Sequence, residues 1–171
     1  PAPSNNFAIV QCVINDFVGN VTEEFYDARH RLLRQREFTG RANPAEPTTD
    51  TLNRPVNPLR PDDPPFFETR WEWNNDSLCS AVYRPQTNRV EWVYQSDFDP
   101  NTPPRHRGNL RVARITGNFD GDAANTKVSV HYFEHDPRFG YSRLQFQPEG
   151  SKGVRLHVPH AAPNPFEGQG N

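Results

Sequence analysis

Methionine is absent from this 171-residue chain, and cysteine occurs only twice, at Cys12 and Cys79. Lysine is almost as scarce: Lys127 and Lys152 are the only two, so nearly all the positive charge is arginine. No apolar run approaches the roughly 18 residues that a membrane-spanning helix needs, and no membrane partner is expected. Cys-x-x-Cys is missing, so the even cysteine pair reads as one structural disulfide, Cys12 to Cys79. Gly-x-Ser-x-Gly is missing too, which leaves no nucleophile elbow to argue from. Charge of one sign is lacking: the formal net charge is −2 and the sequence pI about 6.3, so the total gives a polyanion-binding role no support. Apolar residues make up only 33% and mean hydropathy is −0.91, values that alone suggest disorder. What is present is aromatic: Trp, Tyr and Phe make 12%. Each ring removes roughly 150–250 Å² from water, enough for a folded core between polar connections.

The compartment expected is extracellular. The chain starts Pro1-Ala2-Pro3-Ser4, which reads as an end left by processing. Asn20-Val21-Thr22 and Asn75-Asp76-Ser77 are N-glycosylation sequons, making Asn20 and Asn75 candidate glycan sites.

The pattern along the chain predicts one domain over 1–171: a strand plus a helix over 7–39, a Pro-rich loop over 40–65, an antiparallel sheet over 66–158 and a flexible tail over 159–171. Phe7–Ile14 is a nearly continuous apolar run and reads as a buried strand. Val21 to Arg36 reads as a helix, with Asn20 as N-cap and Glu23 three residues on. Acids (Glu23, Glu24, Asp27) crowd its start, bases (Arg29, His30, Arg31, Arg34, Arg36) its end, and Val21, Phe25, Ala28 and Leu32 form one stripe. Seven prolines from Pro44 to Pro65 exclude helix and central strand there. Beyond it, Phe67, Thr69, Trp71 and Trp73 alternate with Glu68, Arg70 and Glu72. Further strands are expected at 78–84, 89–95, 110–116, 127–133, 141–147 and 154–158. The fold class expected is α+β and β-rich: one N-terminal helix packed on a twisted antiparallel meander, stapled by a single disulfide. That bond would close the loop between residues 12 and 79, worth about 4 kcal/mol on the chain-entropy account.

Neither metal nor other cofactor is expected. His131-Tyr-Phe-Glu134-His135 has the letters of an inverted zinc-peptidase motif, but that motif needs a helix. Lys127–Phe133 alternates as a strand, which sets His131 and His135 about 13 Å apart. Asp97–Asn101 and Asn118–Asp122 resemble calcium loops, and the first lacks the glycine and glutamate such a loop requires. Three constellations remain. Trp71, Trp73, Trp92 and Tyr94 supply either core or a binding surface. Arg29 to Arg36, and Arg105 and Arg107 with Arg111 and Arg114, form basic clusters suited to phosphates, bases or acidic protein patches. Glu91, Arg111 and His131 fall mid-strand in three different strands, a base, a cation and an acid that would serve metal-free RNA cleavage if they shared a face.

Gln11-Cys12-Val-Ile-Asn15-Asp16, followed by a helix, a long loop, a curved sheet and the order Glu91, Arg111, His131, resembles the layout of T1-type ribonucleases and ribotoxins. That resemblance implies Glu91, Arg111 and His131 as catalytic residues. In composition the chain looks like the secreted effector or virulence proteins of filamentous fungi. The function expected first is therefore recognition of a host macromolecule, a host protein such as a protease rather than RNA, by a non-enzymatic protein. RNA cleavage or binding is the alternative, and a structural coat or capsid role the third. The oligomeric state is left open.

Overall fold

A computed structural model describes residues 6–42, 49–117 and 126–135, and the backbone of 142–146. Its contacts divide the chain into two compact units, one of residues 1–75 and 82–86, the other of 76–81 and 87–171.

The first unit overturns the expected helix. Strands β1 (Val10–Asn15), β2 (Asn20–Tyr26), β3 (Leu32–Arg41) and β4 (Phe66–Trp73) pair antiparallel in chain order, so the segment read as a helix is the β2–β3 hairpin. The physical reason lies at Asp27. Its Oδ1 accepts the N–H groups of Arg29 (2.8 Å) and Arg31 (3.0 Å), and its Oδ2 accepts Arg31 Nε at 2.7 Å. Those N–H groups would otherwise continue a helix. His30 then takes the left-handed conformation, φ 58°, and the chain reverses. The acid-first, base-last charge order that fits a helix dipole fits a hairpin equally well. Glu23 lies opposite Arg36 and Glu24 opposite Gln35.

The same turn recurs. In Asp16-Phe-Val-Gly-Asn20 and Asp50-Thr-Leu-Asn-Arg54, as in Asp27-Ala-Arg-His-Arg31, the Asp carboxylate takes the N–H groups two and four residues on. The fourth residue is left-handed in each: Gly19 at φ 86°, His30 at 58° and Asn53 at 58°. Gly, Asn and His are among the residues that tolerate this conformation best.

The Pro-rich segment is tied back to β3. Thr39 N donates to Pro65 O at 3.1 Å, and Leu59 N donates to Thr39 O at 3.4 Å. Gly40 marks the close approach: a Cβ there would lie 2.0 Å from Asn57 O and 2.8 Å from Pro55 Cβ. Gly40→Ala is therefore expected to destabilise the protein by about 1–3 kcal/mol, read as a lowered thermal midpoint.

The second unit holds β6 (Arg89–Tyr94), a one-turn helix α1 (Gln95–Phe98), a 3-10 turn (Pro104–His106), β7 (Leu110–Gly117), β8 (Lys127–His135) and β9 (Ser142–Phe146). β6 to β9 pair antiparallel in chain order. β5 (Cys79–Tyr83) is divided between the units at residues 81 and 82. Among the described residues α1 is the only α-helix, so the fold is β-rich with no helix packed on a sheet. Residues 154–158 and 159–171, expected as a last strand and a tail, lie outside the described residues, as does Asn118–Asp122.

The disulfide is also corrected. Cys12 and Cys79 are free thiols. Cys12 stands exposed on β1 opposite Glu24. Cys79 is half-buried with its Sγ 3.5 Å from Ala81 O, and burial pushes its thiol pKa up. Phe7–Ile14, expected buried, is largely exposed as well, with Ile9 at 61% and Ile14 at 47%.

Apolar burial is sparse. Val21, Leu33, Ala42, Ala81 and Ala113 are the buried apolar residues among those described, whereas Glu23 (0% exposed), Asp27 (1%) and Arg31 (8%) are buried polar ones. Charge pairing therefore does much of the internal bonding of the first unit, which is what a mean hydropathy of −0.91 leaves room for.

Candidate functional site

Strand register in the first unit builds two rows across β2, β3 and β4. Glu23, Arg36 and Glu68 form one; Phe25, Arg34 and Arg70 form the next, on the same face. The first row is closed on itself. Arg36 reaches Glu23 Oε2 at 3.2 Å and Glu68 Oε2 at 2.8 Å, and Arg54 reaches Glu23 Oε1 at 3.0 Å.

The second row is not closed. Arg34 and Arg70 are direct cross-strand partners, a placement that sets like charges side by side and costs stability. Aromatic faces hold both guanidinium groups, Arg34 over Phe25 at 4.0 Å and Arg70 over Tyr83 at 5.1 Å. Neither has a carboxylate of its own among the described residues. The nearest to Arg34 is Glu68 Oε2 at 3.8 Å, an oxygen already bound to Arg36, and Arg34 Nε is buried without a hydrogen-bond partner. Beside this pair lies a cavity of about 360 Å³ with Phe7, Phe25, Arg34, Arg70, Trp71 and Glu72 in its wall. Two guanidinium groups under-neutralised and set against aromatic faces have the chemistry to accept a carboxylate or another planar oxyanion.

The residues singled out in the sequence fall as follows. Trp71 joins this cavity. Trp73 is half-buried on β4, its indole Nε1 donating to Leu32 O at 2.8 Å with Arg31 stacked over it at 5.7 Å. Trp92 is half-buried on β6 opposite Ala113. Tyr94 donates its hydroxyl to Cys79 O at 2.8 Å, and burial pushes its phenol pKa up. Arg107 is held internally: it pairs with Asp76 at 2.9 Å and donates to Pro100 O at 2.8 Å. Ser96 and Arg107 together hold the Asp76 carboxyl below the ordinary carboxylate value, against the cost of burial. Arg105 is exposed, donates to His106 Nε2 at 2.9 Å, and rims a cleft of about 400 Å³ with Arg111 and His135.

Glu91, Arg111 and His131 are not brought together. Register aligns Glu91 with Arg114 and Val130, and aligns Trp92 with Ala113 and His131, so Glu91 and His131 lie on opposite faces. Glu91 is paired with Arg89 at 3.2 Å, Arg111 donates to Gln95 Oε1 at 3.2 Å, and His131 Nε2 lies 3.2 Å from Ser129 Oγ. His135 Nε2 is 2.6 Å from Leu110 O. Asp97 and Asp99 accept backbone N–H groups of Tyr94 and Asn101 as turn caps. Asn20 starts β2 instead of capping a helix, its Nδ2 2.7 Å from Asp16 Oδ2, and Asn75 is exposed in the turn before β5.

The sequence places Arg34 only in a basic cluster, and its pairing with Arg70 is not legible there, because the loop over 42–65 separates them and only the β3–β4 register unites them. The Asp27 turn had a local signal, an Asp three residues before a residue that tolerates positive φ. The chain matches no protein-family model and no curated protein.

Proposed function

We propose that this is a non-enzymatic recognition protein that binds a partner protein through an acidic side chain seated between Arg34 and Arg70. The observation that carries the reading is the like-charged pair itself. A protein selected for stability alone gains nothing from two opposed arginines, whereas a receptor for an anion needs them. An acidic peptide is favoured over RNA because the chain has a net charge of −2 and the flanking arginines are already neutralised, Arg31 by Asp27 and Arg36 by Glu23 and Glu68. The apolar wall of Phe7, Phe25 and Trp71 suits a partner segment that carries an apolar residue beside its Asp or Glu.

The test is a titration with acidic-aromatic peptides and, in parallel, with single-stranded RNA. Arg34→Ala or Arg70→Ala is expected to weaken peptide binding by about 10- to 100-fold, the equivalent of one charge-assisted bond of roughly 1.5–3 kcal/mol. Arg70→Ala is expected at the same time to raise the stability of the free protein by a few tenths of a kcal/mol. Equal affinity in the variants, or tight RNA binding with none to peptide, sinks this reading.

A further inference from the structure

β1 is bonded to β2 on one side and to no described strand on the other. An open strand edge is a row of unmatched N–H and C=O groups, and proteins ordinarily guard one with charge, proline or a cover. The sequence of β1, Val10-Gln-Cys-Val-Ile-Asn15, contains no charge and no proline. Val10 and Ile14 are 41% and 47% exposed, and Cys12 between them is exposed.

The phase of its bonding follows from the next turn. Asp16 N donates to Asn20 O at 3.0 Å, and this pair continues the register in which Ile14 faces Thr22 and Cys12 faces Glu24. Peptide groups alternate sides along a strand. The N–H and C=O of Val10, Cys12 and Ile14 therefore point into β2, and those of Gln11 and Val13 point out of the edge.

A second antiparallel strand would bond through Gln11 and Val13. If that strand is β1 of another copy, with Gln11 of each bonded to Val13 of the other, the two-fold axis passes through Cys12. The side chains agree with this register at every step. Val10 meets the second copy's Ile14, twice by symmetry; no charge opposes another; and Cys12 meets its own counterpart. We propose that the protein self-associates by antiparallel pairing of its β1 edges about a two-fold axis at Cys12.

The opposed cysteines occupy a non-hydrogen-bonded pair, where Cα atoms lie about 4.5 Å apart. That falls inside the roughly 4.4–6.8 Å window of a disulfide, so the pairing can be trapped. With oxidised glutathione as oxidant, one Cys12 thiolate attacks its S–S bond, forms a mixed disulfide and expels a glutathione thiolate. The second copy's Cys12 thiolate then displaces the remaining glutathione. Two protein thiols give up two electrons and two protons, and one glutathione disulfide becomes two thiols.

The experiment uses the full chain. Under reducing conditions, sedimentation at rising concentration is expected to show a monomer–dimer equilibrium. Cys12→Val keeps it. Cys12→Lys, which sets two ammonium groups face to face at an exposed position, weakens it at least tenfold without lowering the monomer's thermal midpoint. With oxidised glutathione, Cys79→Ser yields covalent dimer as the parent does, and Cys12→Ser yields none. A monomer at every concentration, an undiminished dimer in Cys12→Lys, or cross-linking chiefly through Cys79 would overturn the proposal.

Discussion

Replacing Glu23 by alanine is expected to remove about 3 kcal/mol of stability, measured as a fall in the denaturant midpoint followed by tryptophan fluorescence. Glu23 is fully buried, and its two oxygens join three parts of the first unit. Gln11 Nε2 on β1 donates to Oε1, Arg54 from the Pro-rich segment pairs with the same oxygen, and Arg36 on β3 pairs with Oε2. Breaking a buried pair typically costs 3–5 kcal/mol, because the partner charges remain without compensation. Arg36 and Arg54 keep 22% and 29% of their side-chain surface in water, which places the loss at the lower end. Glu23→Gln keeps the shape and one acceptor oxygen, so its loss is smaller, about 1–2 kcal/mol. The size of the effect also separates the two local structures. On the surface of a helix's first turn Glu23 would contribute no more than about 1 kcal/mol through the dipole.

Asp27→Ala is expected to cost a similar amount, about 2–4 kcal/mol, and to flatten the acid limb of the stability curve. Burial disfavours the Asp27 carboxylate, but hydrogen bonds from the Arg31 side chain and from the backbone of Arg31 and Arg29 outweigh it, leaving its pKa below the ordinary 3.8. A lowered folded-state value means that the unfolded chain takes up the proton more readily. The stabilisation is therefore complete above the ordinary carboxylate range and is lost as pH falls through the folded-state value. Asp76, held down by Ser96 and Arg107, adds to the same slope in the second unit. Thermal midpoints taken from pH 7 to pH 2 should fall steeply below about pH 4 in the parent and less steeply in Asp27→Ala, which begins lower.

Alternation made most of the later strands readable. Thr69, Trp71 and Trp73 against Glu68, Arg70 and Glu72 gives β4, and the runs expected at 89–95, 110–116 and 127–133 fall on β6, β7 and β8. The segment 21–36 misled because its charge order satisfies a helix and a hairpin alike, while the apolar stripe that suggested a helix is broken at Ala28, exposed in the turn. What decides between them is one side chain, Asp27, whose carboxylate satisfies the turn N–H groups. The cysteines misled because an even count says nothing about where each sits. Cys12 lies on an exposed edge strand, and Cys79 lies half-buried beside Ala81. The aromatic set was visible, but its burial was not, since a period of two defines two faces without saying which meets the core. Within the candidate site, Trp71 was named from the sequence; Arg34 and Arg70 depend on a register that no local pattern carries.

The proposed recognition site requires that Arg34 and Arg70 together hold an anion. Their Nε–Hε resonances, assigned by loss of each signal in Arg34→Lys and Arg70→Lys, report on it directly during titration with an acidic-aromatic peptide. Both signals are expected to shift together along one saturating curve, while those of Arg36 and Arg107, already paired with Glu68 and Asp76, stay in place. Shifts confined to Arg105 and Arg114, with Arg34 and Arg70 unmoved at saturation, would contradict it.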